Sequence, residues 1–386
     1  MRRLLALITT LMFLELIFFQ VLSPLLPGLK REFALSTSQA GVLVAMYAVG
    51  AILAGLPAVI IAARVGVKST AMASLLMFAL TSVAFGVSHS YATLLVSRFA
   101  QGVAGAACFT AAMVWLLEVA PEDRRGALLG FAFGVSEAGA IAGPVIGGVA
   151  AAAGRATTFI AIAVFCVALV LATTRFQAPR SIGGGRLALR PMLASAHVRT
   201  VMWITIVPAA ILAGIAVLAP LQQHRLGAGV GEIAATFGVA AAVGILIRPM
   251  FGRWADRRGP QRPIRLALLA SFPVVLAVPW LESRAAVAVL VVLALLLTGV
   301  LWAPLMVMLS DACIAVGVGQ VMAVGIINLA WPPGNALGAA GGAAIAQLAG
   351  ERWAYAALAA PLLLAYVALS RIEQPVGEGL YVPGTR

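Results

Sequence analysis

The chain reads as a succession of apolar runs separated by short polar breaks, with little of the alternation that marks half-buried surface elements. Runs of roughly 20 residues match a hydrocarbon layer of about 30 Å crossed by an α-helix. Twelve spans are predicted, over 4–26, 39–62, 69–88, 92–117, 127–150, 157–174, 199–220, 232–252, 263–281, 285–309, 319–348 and 354–371. The run after Arg2 and Arg3 continues past the length of a signal peptide without a small-residue cleavage site, and is read as the first spanning helix. The longest break, 175–198, holds Gly183-Gly184-Gly185 and Arg175, Arg180, Arg186 and Arg190. It is read as a linker between a six-helix half at 1–174 and another at 199–371, followed by a tail at 372–386.

Internal similarity supports two related halves. LSPLL at 22–26 recurs as LAPLQ at 218–222, RVGVK at 64–68 as RRGPQ at 257–261, and GAIAGPVIGG at 139–148 as GNALGAAGG at 334–342. The three offsets are nearly equal, the mark of a duplicated unit. The expected fold is an all-α polytopic membrane protein, with twelve helices in two pseudo-symmetric bundles and a substrate path where they meet.

Composition agrees. Only 10% of residues are charged, and the mean hydropathy is +1.05. The net charge of +13 is read as topology, with no nucleic-acid partner implied. An even number of spans puts both termini on one side. With the termini in the cytoplasm, eighteen Lys and Arg fall at inner ends, against six at outer ends: Lys30, Arg31, Arg155, Arg225, Arg284 and Arg352. That is the positive-inside bias. Cys108, Cys166 and Cys313 form no disulfide framework or metal pattern. His89, His197 and His224 lie at helix ends or in loops, leaving no histidine as an intramembrane proton carrier. No phosphate loop or nucleophile–base pair is visible, so neither ATP-driven transport nor an enzyme is expected.

The candidate chemistry lies in the few polar residues inside spans. Glu15 stands near the middle of the first span, too short and too deep to snorkel outward, ahead of SPLLPGL at 23–29. Intramembrane acids usually line polar cavities. Burial favours a carboxylate's protonated form and a neighbouring cation opposes that, so one acid can hold either a proton or a cationic substrate. Arg98 lies in the fourth span with Gln101, Gly102 and Gly105, and either snorkels to the outer surface or acts as an electrostatic tuner of nearby carboxylates. Glu137, in the fifth span, either lines the cavity as a second proton or cation site or pairs with Arg98 or Glu15. Tyr47, Gln101, Trp302, Asn328 and Trp331 are candidate cavity residues. Trp331 precedes Pro332-Pro333-Gly334-Asn335, which is expected to break the eleventh span and free backbone carbonyls for a ligand.

The fifth span carries Gly130, Gly139, Gly143-Pro144 and Gly147-Gly148. Glycines four apart make a smooth stripe for close backbone approach, and Pro144 bends the helix. This spacing resembles the antiporter signature of drug/proton exchangers of the major facilitator superfamily. Two loops resemble the superfamily's gate motif: a degenerate ARVGVK at 63–68 (Arg64, Gly66, Lys68, with Ala63 where an aspartate is usual) and an intact GRWADRRGPQR at 252–262 (Gly252, Asp256, Arg257, Gly259, Arg262). RFAQGVAGA at 98–106 is similar to the family's second signature. The acid ahead of Pro-x-x-Pro in the first span resembles vesicular amine transporters, which carry an aspartate about where Asn328 stands. The resemblance implies a proton-driven exporter of lipophilic or cationic small molecules, with coupling on Glu15, Glu137 and Arg98. A monomer without cofactor is expected, and the excess of arginine over lysine with abundant alanine and glycine points to a bacterial inner membrane. A proton-coupled metabolite carrier and a non-transporting membrane sensor of the same fold are the alternatives.

Overall fold

In the computed structural model the described residues are 2–121, 125–177, 194–315 and 329–370. Among them every regular element is helical. The elements are α1 (Arg2–Gln20), α2 (Leu26–Glu32), α3 (Thr37–Val65), α4 (Val67–Gly86), α5 (Tyr91–Val119), α6 (Arg125–Ala153) and α7 (Arg155–Thr174). They continue with α8 (Ala196–Arg225), α9 (Val230–Arg258), α10 (Gln261–Ala277), α11 (Arg284–Gly299), α12 (Trp302–Ala315), α13 (Gly342–Ala349) and α14 (Glu351–Ser370). Ten stretches are long and apolar enough to cross a membrane, the first running from Arg2 to Glu32. The remaining two crossings are α11–α12 and the helical run ending in α13, giving an all-α polytopic fold of twelve crossings.

Polar caps and glycines set the helix ends. Ser36 accepts from the Gln39 backbone while the Gln39 side chain accepts from Ser36 N–H, a reciprocal cap that starts α3. Ser90 starts α5 in the same sense, accepting from Thr93 N at 3.2 Å. Between α3 and α4 the chain turns at Gly66 (φ 90°), and between α9 and α10 at Gly259 (φ 79°), a region that side chains disfavour. These are the two glycines that the repeat RVGVK/RRGPQ aligns.

The core falls into two main clusters. One is built mainly from α1 to α7, around Leu11, Phe18, Phe78 and Trp115, and also takes in Ala213, Val217 and Leu221 of α8 with Ala339 and Ala343 from across the seam. A second is built from α8 to α14, centred on Ile204, Leu218, Leu268 and Tyr355. Helix seams repeat too. A side chain at Gly139 would collide with the Phe13 carbonyl and one at Gly147 with that of Val21, so the α6 stripe is where the α1 backbone lies. Gly334 and Gly338, aligned by the repeat with Gly139 and Gly143, meet α8 at the carbonyls of Ile206 and Ala210 in the same way.

The halves touch at the end that holds Lys30 and Arg155. There Gly41 packs on Ala343 and Ala339, Gly148 faces Ala234, and Ser38 N donates to Gln347 Oε1 at 2.9 Å. At that end Arg155 ties its own half together. It makes a two-pronged contact with Glu32 at 3.1 and 3.2 Å and donates to the Gly86 and Ser88 carbonyls.

Two predicted spans differ in detail. The span 285–309 is two pieces, α11 and α12, because Gly299 ends the first and Pro304 offers no N–H to the Val300 carbonyl. Pro332 and Pro333 do not break the eleventh crossing. Residues 329–336 are helical and continue through a wide π-turn, Leu337–Gly341, into α13. Each proline removes only its own N–H, and the close fit of Gly334 and Gly338 on α8 holds the run together.

Candidate functional site

The site begins with how α1 ends. Pro24 and Pro27 lack N–H groups, and the chain passes through a 3₁₀ turn at Ser23–Leu25 before α2. Pro24 thus cannot serve the Gln20 carbonyl, and the last turn of α1 takes a partner from another helix. Arg98 of α5 supplies it, donating from Nη1 to Phe18 O at 2.9 Å. A cation at a helix C-terminus meets the negative end of the peptide dipoles. The same Nη1 donates to Gln101 Oε1 at 2.9 Å, one turn further along α5. Arg98 is 1% exposed, so it does not snorkel to a surface.

One turn before Phe18, Glu15 points into the same space, 9% exposed. Its Oε1 accepts from Tyr47 Oη of α3 at 3.0 Å. The face of the Tyr47 ring lies 4.8 Å from the Arg98 guanidinium, a cation–π contact. Acid and base are therefore joined through one tyrosine. Glycine makes the room: a side chain at Gly102 would strike the Tyr47 backbone, and one at Gly105 would strike the Tyr47 hydroxyl and lie 3.6 Å from Glu15 Cγ. Ser136 of α6 and Cys108 of α5 bond the Met12 and Leu11 carbonyls, fixing α1 around the acid.

The cluster reaches the other half through aromatic rings. Phe19 sits one turn after Glu15, 5.7 Å from the Tyr47 ring, and meets Trp331 edge to face at 5.2 Å. Trp331 also packs on Ala51, Ala54 and Ala106, small residues of α3 and α5 that leave a notch for it.

The structure brings Glu15, Arg98, Tyr47 and Gln101 together, with Trp331 one ring away. Tyr47 and Gln101, expected to line a cavity, are both buried in the cluster itself. Trp302 is half-buried at the start of α12, beside the break in that crossing. Glu137 lies on α6, with its side chain outside the described ones, and Asn328 is outside the described residues. Gly130 on α6 and Gly252 and Asp256 on α9 are described only as helical backbone. Pro144 is buried inside α6 beside Gly143, which meets Gln20 and the Ile17 carbonyl of α1.

In the first gate loop, Lys68 donates to the Thr174 and Phe176 carbonyls at 2.8 and 2.7 Å, closing the C-terminal end of α7. Arg64 is exposed at the end of α3, while Arg257 and Arg262 are exposed around Gly259. Phe19 was not singled out by sequence reasoning, although its position four residues after Glu15, and so on the same helix face, is a readable signal.

Two related helical halves, with a buried acid inside the first, match the architecture of a membrane transporter. The chain belongs to the Major Facilitator Superfamily, whose family model matches residues 8–324. It is 23% identical over 291 residues to Multidrug resistance protein 1 of Bacillus subtilis, covering 73% of this chain and 75% of that one. It is 24% identical over 186 residues to the MFS-type transporter ppzB of Metarhizium rileyi, a match spanning 44% of this chain and only 38% of that relative. Its fold is that of a bacterial homolog to the human lysosomal transporter Spinster in an inward-facing, unoccupied conformation. That likeness has a TM-score of 0.79 and 16% identity over 95% of this chain and 96% of the other. The chain is thus a multi-pass membrane transporter, not an enzyme.

Proposed function

We propose that the chain is a proton-coupled exporter of lipophilic or cationic small molecules, working by alternating access of its two halves. The observation that carries this reading is the Glu15 carboxylate, buried near the middle of the first crossing, Arg2–Glu32, and held by Tyr47. An acid at that depth is unfavourable unless neutralised by a proton or a cation, so the two compete for one place, which is the minimum an exchanger requires. Arg98, stacked on the other side of Tyr47, is offered as the residue that sets the balance. The similarity to a bacterial multidrug resistance protein supports efflux as the direction.

In this reading the protein acts as a monomer in a bacterial inner membrane, with both termini cytoplasmic. The halves are 1–174 and 199–371, joined by the 175–198 linker and followed by the 372–386 tail. The proton gradient is the energy source and no cofactor takes part. Glu137 is a second candidate proton or cation site. Trp331, Trp302 and Asn328 are candidate substrate contacts. The helix ends that meet at the Gly66 and Gly259 turns, Arg64–Lys68 and Gly252–Arg262, with the α6 glycine stripe, are proposed as the gating parts.

The test uses acidified inside-out vesicles carrying the protein or its Glu15→Gln variant, a luminal pH dye, and a panel of lipophilic cations and neutral compounds. Cation-dependent proton efflux that vanishes in the variant supports the reading. Silence from the folded wild type across the whole panel refutes broad cation export.

A further inference from the structure

A cavity of about 520 Å³ opens sideways between the first turns of α9 and α11, outside the Glu15 site. That volume falls within the range of about 300–1,000 Å³ typical of ligand pockets. Its lower wall is apolar and exposed, with Val239 51% and Val289 60% accessible on membrane-crossing helices. Its mouth is polar. Glu232 and Arg284 face each other there at 3.6 Å, each side chain 56% exposed, a loose pair that is easily parted. At the back, Gln223 is 1% exposed and donates to Thr236 at 3.0 Å, while its Oε1 has no hydrogen-bond partner. A buried acceptor left without a donor is costly. The flanking helices begin at Gly229 and Ser283 without a side-chain cap, so their first N–H groups remain available to an anion.

We propose that this groove binds a zwitterionic phospholipid whose head group carries a primary amine. One opening thus offers acceptors for an ammonium (Glu232 and Gln223 Oε1), donors for a phosphate (Arg284 and the two helix starts), and an apolar wall below for an acyl chain. The acceptors favour a primary amine over choline, because a quaternary ammonium has no N–H to give them. A phosphoglycerol head group would leave Glu232 facing a second anion. The lipid is a bound structural partner at a site separate from the Glu15 cluster.

The full-length protein is purified in detergent and mixed with dioleoyl phosphatidylethanolamine, phosphatidylcholine or phosphatidylglycerol, and bound lipid is counted by native mass spectrometry. The ethanolamine lipid is retained roughly tenfold more tightly than the choline lipid, the scale of one charge-assisted hydrogen bond. The double variant Glu232→Ala/Arg284→Ala loses that preference. Val289→Trp, which fills the apolar wall on an exposed face, lowers retention of the ethanolamine lipid while leaving the head-group residues intact. Melting temperatures in the same samples confirm folding. Equal retention of the three lipids, or a preference that survives both variants, means a non-specific annular lipid only and overturns the proposal.

Discussion

Tyr47 donates its hydroxyl proton to Glu15 across 3.0 Å, while the face of its ring receives the Arg98 guanidinium 4.8 Å away. A buried acid and a buried base are thus held apart and connected by one side chain. Removing the hydroxyl while keeping the ring separates the two functions. Tyr47→Phe leaves Glu15 Oε1 without this donor, a loss of about 1–3 kcal/mol. The expected outcome is a lowered melting temperature together with weakened cation-driven proton exchange. Tyr47→Leu, which also removes the cation–π contact, falls further on both readouts.

The stripe on α6 makes a graded prediction. Gly139→Ala and Gly147→Ala drive a methyl group into the carbonyls of Phe13 in α1 and Val21 just after it. Overpacking of this kind costs about 1–3 kcal/mol. Gly28→Ala is the control, since a side chain there meets nothing within 4 Å. Thermal unfolding in detergent should order the variants with Gly28→Ala near wild type and the two α6 variants below it.

Gly66 and Gly259 turn the chain with φ of 90° and 79°. Substituting alanine at either forces a side chain into a region that costs about 1–3 kcal/mol. Because the repeat aligns the two turns, the destabilisation should be similar in size, and melting curves of the two single variants provide the comparison.

Closure of the Lys30 end depends on Gly41 lying against Ala343 and Ala339. Gly41→Val wedges the halves apart there. A cysteine introduced at Ser38 should then react faster with a membrane-impermeant thiol reagent than it does beside an unaltered Gly41. An unchanged rate would mean that this contact does not hold the end shut.

Much of the fold was legible because membrane crossing leaves a coarse signal in length and apolarity. The duplicated turns at Gly66 and Gly259 and the stripe Gly139-Gly143-Gly147 were legible because backbone approach and positive φ admit few residues besides glycine. Finer breaks were not. Pro332-Pro333 looks like a helix stop, yet packing of Gly334 and Gly338 on α8 keeps the run helical, and packing against a sequence-distant helix is invisible locally. The inconspicuous Gly299 and Pro304 interrupt the α11–α12 crossing instead. At the site, Glu15 and Arg98 stood out as charges in apolar runs. Their connection did not, since Tyr47 belongs to a third helix and ordinary aromatic packing gives the same sequence pattern. Phe19 passed unnoticed because a phenylalanine in an apolar span carries no contrast, although it is the ring between Tyr47 and Trp331.

The central claim is that a proton and a cationic substrate exchange at Glu15. The most direct measurement is proton release on binding: purified protein in weakly buffered detergent is titrated with a lipophilic cation found to bind, while a pH dye follows the solution. The account predicts that wild type releases protons in proportion to cation bound, and that Glu15→Gln, folded and tested at concentrations that saturate it, releases none. Saturable cation binding without proton release in wild type, or release undiminished in Glu15→Gln, would contradict it.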